Sequence, residues 1–200
     1  VDDDDDDDDD DSEDEYEVTP LERARILSYR TALSASALII CTQAVGDTNF
    51  FEGTGLNIDN IVNQSGTALP IVAGASLLLC PVPKAVEMLA IILGSITLGS
   101  GVLSSIISND QEIIMQASAW SLAIATLMII SLREIFYFGA EYKVESGVTL
   151  FCLPLMLDVN TRVPFTLPLC ALGMIVLSAG KFFEPCREDL VRSKSEFLAK

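Results

Sequence analysis

Beyond residue 26 the chain no longer distributes polar residues at helical spacing. The stretches from Ala68 to Val82, Ala85 to Ile107 and Ile113 to Leu132 are apolar all round, with Glu87 as their only charge. A helix in water keeps a polar face, whereas uninterrupted apolar runs imply burial on every side. In the second run, AVEMLAIILGSITLGSGVLSSII, eleven Leu, Ile or Val residues contribute roughly −3 to −7 kcal/mol of preference for insertion into lipid. Glu87 lies near the end of the run and can reach the interface, so it does not cancel that sum.

A hydrocarbon core of about 30 Å needs about 20 helical residues. On that ruler the pattern predicts an all-α, polytopic membrane bundle of about six transmembrane helices, at 27–46, 65–82, 85–108, 113–133, 141–158 and 163–182. The fifth is the weakest. Its apolar part, Gly147 to Leu157, gives only about 16 Å as helix, so it must borrow length from Tyr142 to Ser146 or be re-entrant.

Lys and Arg concentrate in short cytoplasmic-type loops. With six crossings one side receives Arg23, Arg25, Arg30, Lys84, Arg133, Lys143, Lys181, Arg187, Arg192, Lys194 and Lys200, and the other receives only Arg162. The bias favours an even number of crossings, with both termini on the basic side.

The first helix carries its own start signal. Thr19 as N-cap, Pro20 at the first helical position and Glu22 three residues after the cap form a capping box. The helix is expected to begin in water and enter the bilayer near Leu27, with Tyr29 and Arg30 at head-group depth. Arg23 and Arg25 fit either contact with anionic lipid or simple marking of topology.

Ahead of it stands VDDDDDDDDDDSEDEYE. Residues Asp2 to Glu17 hold fourteen of the 29 acids and no base, so the rest of the chain is near −3 rather than −17. A run of like charge has too little apolar surface to offset the entropy of ordering, so the tail is read as disordered. It serves either as a solvated spacer or as a handle for a basic partner or a divalent cation. The organisation expected is an acidic tail over 1–18, a six-helix membrane domain over 19–184 and a charged C-terminal tail over 185–200. A first residue of Val rather than Met is read as trimming or as removal of a targeting peptide.

The candidate chemistry consists mostly of exclusions. The chain has no histidine, which removes the usual haem ligand, proton shuttle and most zinc sites. No phosphate-binding glycine loop, H-E-x-x-H or G-x-S-x-G is present. The five cysteines lack C-x-x-C spacing and read as apolar thiols. Nothing points to catalysis, a cofactor, a metal or nucleic acid, and the partners expected are membrane lipids and other membrane proteins.

Seven residues stand out as interface or packing positions. Charges in lipid are costly and often mark transport routes, but Arg30, Glu87, Arg133 and Glu134 all fall near helix ends, where anchoring is the preferred reading. Arg133 and Glu134, with Tyr137 at head-group depth, are expected to fix the end of the fourth helix at the interface. Ser95 and Gly99 form a small-xxx-small pair that permits close helix approach, as do Ala119/Ala123 and Ser121/Ala125.

YRTAL (Tyr29 to Leu33), SLREIFYFGAEYKVESG (Ser131 to Gly147) and GKFFEPCREDL (Gly180 to Leu190) open the first crossing, follow the fourth and close the sixth. In this order they resemble an uncharacterised family of integral membrane proteins shared by cyanobacteria and plastids, over about residues 27 to 190. The resemblance implies six helices and a plastid membrane, thylakoid or envelope, with the basic side facing the stroma. The role expected is that of a non-enzymatic auxiliary or assembly protein. A small-solute or ion transporter is the alternative, and an intramembrane enzyme ranks third.

Overall fold

A computed structural model describes residues 18–46, 58–107, 112–137, 143–155 and 166–186. Among them are six α-helices and no strand: α1 (Pro20–Gly46), α2 (Ile58–Leu79), α3 (Lys84–Ile106), α4 (Glu112–Tyr137), α5 (Lys143–Leu155) and α6 (Thr166–Phe183). The acidic tail, Arg162, Tyr142 and the C-terminal tail from residue 187 lie outside the described residues.

Local chemistry sets the helix ends. The Thr19 hydroxyl accepts from the Glu22 N–H at 3.3 Å, while the Thr19 N–H donates to Glu22 Oε2 at 3.1 Å, which is the reciprocal capping box expected. Pro81 and Pro83 cannot continue α2 and restrict the residues before them, so the chain turns at Cys80 and α3 starts at Lys84. Pro168 is only the third residue of α6, where its missing N–H has no intrahelical partner to lose.

Helices α1, α2, α4, α5 and α6 pack in a ring, each against its neighbours, with α1 against α6 closing it. α3 lies outside this ring, on the seam between α2 and α4. The seam is tight because the residues there are small. A Cβ on Gly74 of α2 would stand 2.5 Å from the Leu98 backbone nitrogen, and one on Gly101 of α3 would stand 2.9 Å from Ile71 N. Thr97 of α3 and Thr126 of α4 join their buried hydroxyls at 2.9 Å, and Thr97 Oγ1 also donates to Leu93 O. Both helices thus satisfy their polar groups internally.

The surface of α3 is inverted relative to that of a soluble helix. Its buried residues are Gly94, Thr97, Gly101 and Ser104, while Met88, Leu89, Ile91, Ile92, Ile96, Leu103 and Ile106 are exposed. In α6, Leu169, Leu172, Ile175 and Val176 point outward, whereas Thr166, Ser178 and Lys181 point inward. Burying small and hydroxylated residues while displaying branched aliphatics is unfavourable in water and natural in lipid.

By length and composition, three described helices suit a membrane crossing: Lys84–Ile106, Ile114–Ile135 and Thr166–Phe183. The six crossings predicted correspond to six helices, but not all have spanning character. α2 offers the shorter apolar stretch Gln64–Leu79. α1 carries Arg23, Arg25, Arg30 and Gln43, and turns toward its neighbours a stripe of Ile26, Tyr29, Arg30, Leu33, Ala37, Ile40 and Ala44. α5 does take in Lys143 to Ser146, yet its 13 residues reach only about 20 Å.

Candidate functional site

Three inward stripes end in charge at the same end of the bundle. On α4 the buried series Ala123, Leu127, Ile130 is continued at helical spacing by Glu134. On α6, Cys170, Met174 and Leu177 are continued by Lys181, and on α1 Tyr29 and Arg30 precede Leu33 and Ala37. The i, i+3 and i, i+4 periodicity that buries the aliphatics therefore buries the ionic groups as well.

Glu134 lies at the centre, fully buried. Its Oε1 accepts from the Tyr29 hydroxyl at 2.9 Å and from Arg133 NH1 at 2.6 Å. Its Oε2 lies 2.8 Å from Lys181 Nζ, a close ion pair without the alignment of a hydrogen bond. Lys181, also fully buried, donates to Glu184 Oε2 at 2.5 Å. The second arm of Arg133 donates to the Pro81 carbonyl at 2.6 Å, and its guanidinium carbon lies 5.9 Å from the centre of the Tyr29 ring. Arg30 NH1 donates to the Glu184 carbonyl at 2.6 Å.

The cluster holds Arg30, Arg133 and Lys181 against Glu134 and Glu184, a surplus of one positive charge by residue count. Backbone carbonyls at or beyond the C-terminal ends of helices meet that surplus. Pro81 follows α2 and Glu184 follows α6, positions where unpaired carbonyls carry partial negative charge. One network thereby ties α1, α4, α6 and the α2–α3 turn together. Arg25 adds a looser contact at the rim, 3.4 Å from the Cys80 carbonyl and 4.0 Å from Glu87, with both side chains well exposed. An exposed pair of that kind contributes little.

The structure brings together Arg30, Arg133 and Glu134 of the seven residues singled out in the sequence. All three, and Tyr29 beside them, are buried among helices. Tyr29 meets Glu134 across 105 positions of the chain and Arg30 meets Glu184 across 154, so these two pairings were not visible locally. Glu87 lies at the rim. Tyr137 ends α4, and its side chain lies outside the described residues. Ser95 and Gly99 point outward, with nothing within 4 Å of a Cβ on Gly99, and the close approach is made instead by Gly74, Gly94 and Gly101. Of the other small pairs, Ala119 and Ala123 are buried, whereas Ser121 and Ala125 are exposed.

Lys181 and Glu184 are the residues that local reading passed over. Their signal was the heptad-like spacing Cys170, Met174, Leu177, Lys181, which puts the lysine on the buried face. The three motif segments of the sequence, around Tyr29-Arg30, Arg133-Glu134 and Lys181-Glu184, meet in this one cluster. Both oxygens of Glu134 are engaged by cations or a hydroxyl, and no group of three or more potential metal ligands occurs among the described residues. Chemically the arrangement is a clamp.

Comparison with protein-family models, curated proteins and solved structures finds no match.

Proposed function

We propose that the chain is a multi-pass integral membrane protein of a plastid membrane, thylakoid or envelope, acting without catalysis as an auxiliary or assembly protein for other membrane proteins. One observation carries this reading. The buried ionic groups are spent on fixing the helices to one another, while the apolar faces of α3 and α6 are turned outward. What such a molecule offers its surroundings is a rigid lipid-facing exterior. The plastid assignment rests on the resemblance of the three motif segments. Affinity purification from native membranes should recover a defined membrane complex with the full chain; recovery of the chain alone would contradict the proposal.

A second reading, a small-solute or ion transporter, draws on the cluster itself, because ionisable residues inside a membrane bundle often line transport paths. Flux into liposomes separates the two. An auxiliary protein gives the leak of empty vesicles, whereas a transporter gives saturable, substrate-dependent flux.

The orientation proposed has both termini in one compartment, the stroma in a plastid. It is supported by the position of Arg23, Arg25, Arg30, Lys84, Arg133 and Lys181 at the cluster end of the bundle, as hydrogen bonds and helix order place them. Protease-sensitive tags on the two ends should be cleaved together when sealed membranes are digested from one side. Cleavage of one tag with protection of the other would overturn the even number of crossings.

A further inference from the structure

Between α1 and α2, on the opposite side of α1 from the ionic cluster, runs an open groove of about 430 Å³. Leu27, Ser28, Thr31, Ala32 and Ala35 line it from α1, and Ile71, Val72 and Ala75 from α2. It is mostly apolar and as large as many small-molecule sites, which run from about 300 to 1,000 Å³. From Leu27 to Ala35 it extends about 12 Å along the helix. The small side chains Ser28, Ala32, Ala35 and Ala75 give the groove its width.

Both α1 edges of the groove begin with an arginine. Arg23, Leu27 and Thr31 follow one another at i, i+4 spacing, and Arg25, Ser28, Ala32 and Ala35 at i, i+3 or i, i+4 spacing, so each row continues on one side of the helix. Arg23 and Arg25 are exposed, and Arg25 is placed over the end of α2 by its contact with the Cys80 carbonyl. Its contact with Glu87 is long, at 4.0 Å between half-exposed groups, and leaves the guanidinium open to a stronger anion.

We propose that this groove holds one acyl chain of an anionic membrane lipid whose head group is bound by Arg23 and Arg25. The inference rests on the membrane reading above. An apolar trough headed by two cations matches a phosphate- or sulfate-bearing lipid and discriminates against a zwitterionic one, because each basic residue near the surface favours negative charge. Among the described residues, the apolar exterior of α3 and α6 has no comparable pair of arginines at its edge, so retention should concentrate at this seam.

The test reconstitutes the full chain in vesicles of phosphatidylcholine containing a minority of phosphatidylglycerol, extracts it in mild detergent and measures co-purifying lipid by mass spectrometry. Wild type should be enriched in phosphatidylglycerol over the bulk ratio. Arg23→Gln and Arg25→Gln should each lower the enrichment about fivefold, the factor that corresponds to about 1 kcal/mol per basic residue. Ala32→Phe, which fills the groove, should lower retained lipid of both kinds. Lys84→Gln, which removes an exposed charge at the same end of the bundle that does not line the groove, should lower the ratio less than either arginine variant. A wild-type ratio equal to the bulk, an undiminished ratio in the double arginine variant, or an equal loss with Lys84→Gln would each overturn the site. Resistance of the reconstituted chain to alkaline carbonate extraction is scored on the same vesicles, so failure of this site is distinguishable from failure of membrane insertion.

Discussion

Glu134→Gln should destabilise the folded chain by about 3–5 kcal/mol, the cost of leaving buried cations without their counter-charge. Glu134 is the acceptor shared by Tyr29, Arg133 and Lys181, and it has no solvent to fall back on. Replacing it raises the count of net positive charge in the cluster from one to two. The glutamine amide also presents donors to Arg133 and Lys181, which have none to accept with. Removing the lysine at the same time restores the original count, so Glu134→Gln with Lys181→Met should be less damaging than the sum of the single changes. Tyr29→Phe, which removes one hydrogen bond to a charged group, should cost only about 1.5–3 kcal/mol. Equilibrium unfolding in mixed micelles measures all four. A Glu134→Gln protein as stable as wild type would show that the network does not hold the helices together.

Gly74→Ala should destabilise by roughly 1–3 kcal/mol, as expected when a packed interface receives an extra carbon. The atoms in the way are the Leu98 nitrogen at 2.5 Å and the Gly94 carbonyl oxygen at 2.8 Å, both backbone, so only separation of α2 from α3 relieves the contact. Gly99→Ala provides the contrast. With nothing within 4 Å of the added carbon, it should be neutral or, through helix propensity, stabilising by up to about 1 kcal/mol. The same unfolding measurement reads both, and equal effects at the two glycines would remove the tight α2–α3 seam from the account.

The two glycines also show where sequence reading stops. The helices themselves were legible because apolar runs bounded by Pro, charge and a capping box each state a start or an end. The packing face of α3 was not. In GSITLGSG small residues fall at 94, 95, 97, 99, 100 and 101, on nearly every side of the helix, so small-xxx-small spacing selects no single face. The selection comes from the facing helix, where Pro70, Ile71 and Leu78 of α2 leave room only for Gly94 and Gly101. Arg30, Arg133 and Glu134 were legible as residues of interest because charge is rare in such a chain. Their burial was not, since a charge near a helix end can snorkel to the interface as readily as meet a partner. Lys181 and Glu184 supply that partner from the far end of the chain, and only the ring closure of α1 against α6 brings them into reach.

In the membrane reading proposed above, the bundle turns its apolar exterior to lipid and its polar groups inward. Nitroxide labels placed singly at Ile92, Ile96, Gly99 and Leu103, and at Thr97 and Ser104, test it in reconstituted vesicles. The first set is exposed in the structure and the second buried. Collisions with oxygen, which partitions into hydrocarbon, and with a water-soluble nickel chelate report the surroundings of each. The four outward positions should show high oxygen and low nickel accessibility, and Thr97 and Ser104 low accessibility to both. High nickel accessibility at Ile92, Ile96 and Leu103 would place that face in water and contradict the membrane reading.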